Sequence, residues 1–163
     1  MNKVLLVLGS KSDSNVGKKA AGILDHFGIP YDTELASADR TPDKVDRLAE
    51  SLESDLYDVC IAIAGLSAVL PAAVAARTTK PVIGVPVANE GAPLAGMDAL
   101  YSIVQRPPGS PVVSVGINRG ENASLFVVQM YALNDSDLRS RLVEYGRLEA
   151  EKRGYFEEFS LEK

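Results

Sequence analysis

Four short apolar runs rich in β-branched residues, separated by segments with helical periodicity, constrain this chain more than any other feature. The runs are Val4–Leu8, Val59–Ala64, Val82–Val87 and Val112–Ile117. Continuous apolar stretches of this length read as strands buried on both faces of a parallel sheet. A fifth run, Tyr31–Leu35, is more polar and suits a sheet edge. Between the runs, Val16, Ala20, Ile23, Leu24 and Phe27 recur at helical spacing, and Gly28 follows as a stop. Thr41-Pro42 reads as an N-cap with proline at the first helical position, leading into Val45, Leu48, Ala49 and Leu52. Leu70–Ala76 and Asn122–Leu133 complete the helical patterns. Such alternation predicts a three-layer α/β sandwich with helices on both faces of a parallel sheet.

The 163 residues suit one domain, residues 1–163. Within it, residues 1–135 read as the core and 136–163 as a C-terminal helix and tail. Leu138, Leu142, Tyr145 and Leu148 share one face of that helix, and Tyr155, Phe156 and Phe159 follow. This element either covers its own domain or docks on a neighbouring subunit. Hydrophobic residues at 46% and charged residues at 24% indicate a folded globular chain. A net charge of −5 gives no general attraction to nucleic acid or anionic membrane. One cysteine, Cys60, excludes an internal disulfide and a cysteine-cluster metal site. One histidine, His26, excludes paired-histidine metal sites and falls at the far end of the first helix, where it reads as surface or packing. The opening apolar run ends at Leu8, too short for a signal peptide, and no stretch approaches a membrane span. A cytoplasmic protein is expected.

Ligands of open parallel sheets bind beyond the carboxyl ends of the strands, so the loops there carry the functional information. Gly9-Ser10-Lys11-Ser12-Asp13 opens a helix with backbone amides, hydroxyls and a lysine, a plausible phosphate cradle or an ordinary N-cap turn. Neither a P-loop nor a dinucleotide fingerprint fits it. Ala36-Ser37-Ala38-Asp39-Arg40-Thr41-Pro42 again suits an anion, or else caps and solvates a turn. The loop from Ala64 to Pro71 is almost free of polar side chains, allowing close ligand approach or tight packing. Residues 88–98 are long and flexible enough to fold over a ligand, Ser102–Gly109 reads as a rigid proline turn, and Asn118–Ala123 opens a further helix.

In order, the blocks GSKSD, SADRTP, IAGLSAVLP, PVIGVPV, GMDALYSIVQRPPGSPV and RGENA closely resemble the PurE family. That family comprises the aminoimidazole ribonucleotide carboxylases and carboxyaminoimidazole ribonucleotide mutases of purine (IMP) biosynthesis, and the resemblance covers about residues 3 to 133. It implies a flavodoxin-like α/β subunit, an octamer with sites built from more than one subunit, and carboxyl transfer with carbon dioxide or bicarbonate. No metal, flavin or nicotinamide motif appears in the sequence, and ATP is not implied. By position the resemblance implies that Gly9, Ser10, Asp13, Ser37 and Arg40 hold the phosphate and ribose of a ribonucleotide monophosphate. Gly65, Ser67, Ala68 and Val69 fall in the loop beside the base and carbon dioxide, and Gly96, Met97 and Asp98 in the loop that closes on the ligand.

The chain departs from the family at two places. Members usually read S-A-H-R-T-P, where this chain has Asp39, and A-A-H-L-P-G, where it has Val69 and, further on, Ala72. The expected histidine acid–base is therefore absent, and Asp39 is the one titratable replacement in line. An aspartate in ordinary surroundings titrates near ~3.9 and suits a base better than an acid. Val69 dries the pocket, which favours loss of a carboxylate. Three readings follow: a divergent working carboxylase or mutase, a paralogue with changed chemistry such as a decarboxylase on a related ribonucleotide, and a non-catalytic nucleotide-binding protein.

Overall fold

The computed structural model describes residues 2–156. Five strands form one all-parallel sheet in the order β2-β1-β3-β4-β5. They are β1 (Lys3–Leu8), β2 (Tyr31–Leu35), β3 (Tyr57–Gly65), β4 (Val82–Val87) and β5 (Val113–Ser114). The helices are α1 (Ser14–Phe27), α2 (Pro42–Leu52), α3 (Val69–Ala75), α4 (Met97–Val104), α5 (Gly120–Ala132) and α6 (Ser136–Lys152). This is the flavodoxin-like α/β arrangement, and the polar strand β2 occupies an edge as its sequence required.

The two faces of β1 explain the layering. Leu5 and Val7 join Cys60, Ala62 and Ala64 of β3 in a core closed by Val45, Ala49 and Leu52 of α2, Leu70 and Val74 of α3, and Ala99 and Ile103 of α4. On the other face Leu8 meets Gly17 of α1, where an added Cβ would lie 2.8 Å from Leu8 Cδ2. The start of α5 then packs on α1, with the buried Ser124 hydroxyl donating to the Ala20 carbonyl at 2.8 Å. Burial on both sides is why the central strands carry uninterrupted apolar sequence.

Two elements differ from their sequence expectation. Only Val113 and Ser114 of the run 112–117 pair as β5. Beyond them the backbone keeps touch with β4 through single bonds, Val115 N–H to Gly84 O and Asn118 N–H to Pro86 O, without a regular ladder. Met97–Val104 is a helix, so the proline turn is confined to residues after Val104. Thr41 stands at the N-cap position of α2, but its hydroxyl turns back to Ser37, accepting from Ser37 N–H at 2.9 Å.

The chain divides into two compact units at Val127/Val128. In the second, Asp135 caps α6 by accepting from Leu138 N–H at 2.9 Å, and Arg139 closes onto the Ala132 and Leu133 carbonyls. Leu138 is buried, whereas Tyr155 and Phe156 are exposed. Phe159 lies outside the described residues. Among the described residues no helix is long and apolar enough to cross a membrane.

Candidate active site

Parallel strands bring the loops after β1, β2, β3 and β4 to one edge of the sheet. There they enclose a cleft of about 250 Å³. The first loop enters it through a short 3-10 turn, Lys11–Asp13, ahead of α1. Ser10 caps that turn: its hydroxyl accepts from Ser12 N–H at 3.3 Å and from Ser12 Oγ at 2.9 Å. Asp13, only 2% exposed, lies at the inner end. Burial pushes its carboxyl up from the ordinary range, opposed by hydrogen bonds from the Asn89 side chain, the Ser10 backbone and the Ser12 side chain.

The second loop is closed by its own hydrogen bonds. Ser37 Oγ accepts from Arg40 N–H at 3.3 Å, and Thr41 N–H donates to Ser37 O at 2.9 Å. This tight turn presents Ser37, Asp39 and Arg40 to the cleft, the last two exposed to solvent. Facing them, the third loop brings backbone and small side chains. Leu66 and Ala68 hold positive φ values of 54° and 39°, and Ala68 N–H closes onto Gly65 O at 3.0 Å. The contour leaves Leu66 63% and Val69 41% exposed at the cleft.

The sequence candidates Gly9, Ser10, Asp13, Ser37, Asp39 and Arg40 thus share one cleft. Gly65, Ser67, Ala68 and Val69 complete its opposite wall. Gly96, Met97 and Asp98 do not line it. They form the start of α4, where Gly96 adopts φ 83° and an added Cβ would sit 2.9 Å from Ala88 Cβ. Lining residues not singled out as ligand contacts include Ser12, Leu66 and Asn89. Asn89 follows β4, a position that the strand-end rule alone would have flagged. His26 is exposed on the last turn of α1, its ring edge-on to Phe27 at 4.9 Å, twelve residues and ~18 Å of helix from Ser14.

The cleft offers one cation, two carboxylates and a set of hydroxyls at one end, and an apolar, small-residue wall at the other. Such a surface suits an anionic, hydroxylated ligand carrying a flat ring. The family model for AIR carboxylase matches residues 3–152. The chain belongs to that family. It is 46% identical over 142 residues to the N5-carboxyaminoimidazole ribonucleotide mutase of Methanocaldococcus jannaschii, covering 87% of each chain. It is also 46% identical over 142 residues to the probable N5-carboxyaminoimidazole ribonucleotide mutase of Methanobrevibacter smithii; that match covers 87% of this chain and 41% of the longer relative. The crystal structure of Treponema denticola PurE superposes with a TM-score of 0.82 at 28% identity, covering 93% of this chain and 94% of the other.

Proposed function

We propose that this protein transfers a carboxyl group on aminoimidazole ribonucleotide, as a carboxylase or mutase of purine biosynthesis. The observation that carries the reading is the convergence of Ser10, Asp13, Ser37 and Arg40 in one cleft opposite the small-residue loop. Arg40 supplies a charge-assisted contact to the phosphate, helped by the Ser10 and Ser37 hydroxyls. The Asp13 carboxylate accepts from the ribose hydroxyls. The imidazole then lies along Gly65, Ser67 and Ala68, with Leu66 and Val69 excluding water from the carboxyl group.

In the mutase direction the N–carboxyl bond breaks and its electron pair stays on nitrogen, which takes up a proton from solvent, to which Asp39 later returns the ring proton. The released carbon dioxide is held against the apolar wall. The ring carbon attacks it, and the ring proton passes to Asp39, the titratable group on the second loop. The working enzyme is a cytoplasmic homo-octamer in which the Gly96–Asp98 turn completes the site. The names of the relatives favour carboxyl transfer over both the altered-paralogue and the binding-only readings.

Purified protein is to be mixed with N5-carboxyaminoimidazole ribonucleotide, and separately with aminoimidazole ribonucleotide plus bicarbonate, while the ring-carboxylated product is followed. Turnover is expected in at least one mixture. Asp39→Asn should lower kcat by ~10²–10⁴-fold, the usual contribution of a positioned acid–base group. Arg40→Ala should raise KM by about 10–100-fold, from about 1.5–3 kcal/mol of charge-assisted binding. Unchanged kcat in the first variant would remove Asp39 from the chemistry, and unchanged KM in the second would remove Arg40 from the phosphate site.

A further inference from the structure

Asn89 is an exposed residue just beyond β4, yet its side chain joins three parts of the cleft. Nδ2 donates to Ser12 Oγ and to Asp13 Oδ1, each at 3.2 Å. The same nitrogen stands 3.7 Å from where a Cβ on Gly65 would lie, so the third loop keeps its backbone close to the amide. The Asn89 carbonyl accepts from Ala92 N–H at 3.0 Å and thereby begins the loop that leads to Gly96.

Among the described residues no ion pair holds Asp13, and its carboxylate is held by hydrogen bonds from Asn89, the Ser10 backbone and Ser12. On its own turn Lys11 is exposed and makes no salt bridge with it. Asp39 and Arg40 face the cleft from the second loop, while Ala64, Gly65 and Val69 bring no charge from β3 and α3. On the β4 side the neighbouring charge is the exposed Glu90. Oδ1 takes both the Asn89 bond and a 3.4 Å bond from Ser12 Oγ, and the Ser10 backbone is a further hydrogen-bond partner of the carboxylate.

We propose that Asn89 is a positioning residue: its amide fixes the orientation in which the Asp13 carboxylate meets the ribose, and couples that orientation to the loop from Asn89 to Gly96. The ribose part rests on the carboxyl-transfer reading; the hold on Asp13 does not. The bond favours the charged carboxylate, so its loss moves Asp13 titration to higher pH.

The test uses Asn89→Leu, which keeps the size and removes the donor, and Asn89→Gln, which restores an amide. In ligand-free protein, ¹³C carboxyl titration of Asp13, assigned with Asp13→Asn, should move to higher pH in N89L and part-way back in N89Q. With aminoimidazole ribonucleotide substrates, N89L should raise KM about tenfold while kcat stays within about threefold, and the acid limb of kcat/KM should shift upward. An Asp13 titration that does not move overturns the proposal whatever the activity. A titration that moves with unchanged KM overturns the ribose role. A wild type without turnover or ribonucleotide binding, but with the titration shift, would sink the carboxyl-transfer reading and leave Asn89 as the group that holds Asp13. Should N89L fail to fold, Asn89→Ser, which is small and exposed, carries the same two readouts.

Discussion

Leu66 and Ala68 sit in left-handed backbone within three residues of each other, in the loop that forms one wall of the cleft. For L-residues this conformation costs roughly 1–2 kcal/mol each, and it persists only where the surroundings impose it. Ala68 is buried and its N–H is bonded to Gly65 O, so the turn is fixed from inside. Leu66 is exposed and gains little burial in return. Leu66→Gly should therefore stabilise the chain by about 0.5–1 kcal/mol, the relieved strain less the entropy that glycine loses on folding. Urea unfolding measures this, and a midpoint at or below wild type would show that the loop is not strained at Leu66. At this scale the candidate site was largely legible, because strand-end loops carry chemistry and the motifs of the first three lie in order. Asn89 and Leu66 were not assigned as contacts. One is an exposed amide whose partners are 76 and 77 residues away in sequence, and the other an exposed leucine whose backbone angle leaves no mark in composition.

Elements with a strong periodic signal emerged as read, and those with a weak one did not. Helix α1 ends at Gly28 in left-handed backbone, and α2 begins with Pro42, both as their residue types dictate. Helix α4 was missed because it is only eight residues long and buries just Ala99 and Ile103, too few points to define a period. Strand β5 was overextended because an apolar run does not reveal where its edge pairing stops. Packing between elements is equally silent in sequence until a glycine marks it. At Gly120 an added Cβ would overlap the Val16 carbonyl oxygen and lie 3.2 Å from Ala20 N, so α5 begins against the backbone of α1. Backbone cannot move aside as a flexible side chain can. Gly120→Ala should cost at least about 1–3 kcal/mol, well beyond the usual effect of alanine at a helix start. Thermal unfolding beside Gly22→Ala, where an added Cβ meets nothing within 4 Å, separates the clash from helix propensity.

For the whole molecule, the single chain leaves features that an assembly would satisfy. Met97, Tyr101 and Val104 run along one side of α4 at helical spacing and are 39%, 57% and 47% exposed. Asp98 Oδ1 and Arg106 Nε, on the same stretch of chain, are buried with no hydrogen-bond partner among the described residues. An unpaired buried polar group costs about 1–3 kcal/mol, so a surface that buries the stripe and pairs these atoms gains on both counts. A second copy of the chain is the occupant required if the Gly96–Asp98 turn, absent from its own cleft, completes the cleft of a neighbour. Light scattering should then give eight chain masses for the wild type at micromolar concentration. Tyr101→Glu places a charge in the centre of the stripe and should yield smaller species with much reduced carboxyl transfer but an unchanged far-ultraviolet circular dichroism spectrum. A monomeric wild type that turns over its substrate would show that one chain holds a complete site, and would return the 96–98 turn to a purely structural role.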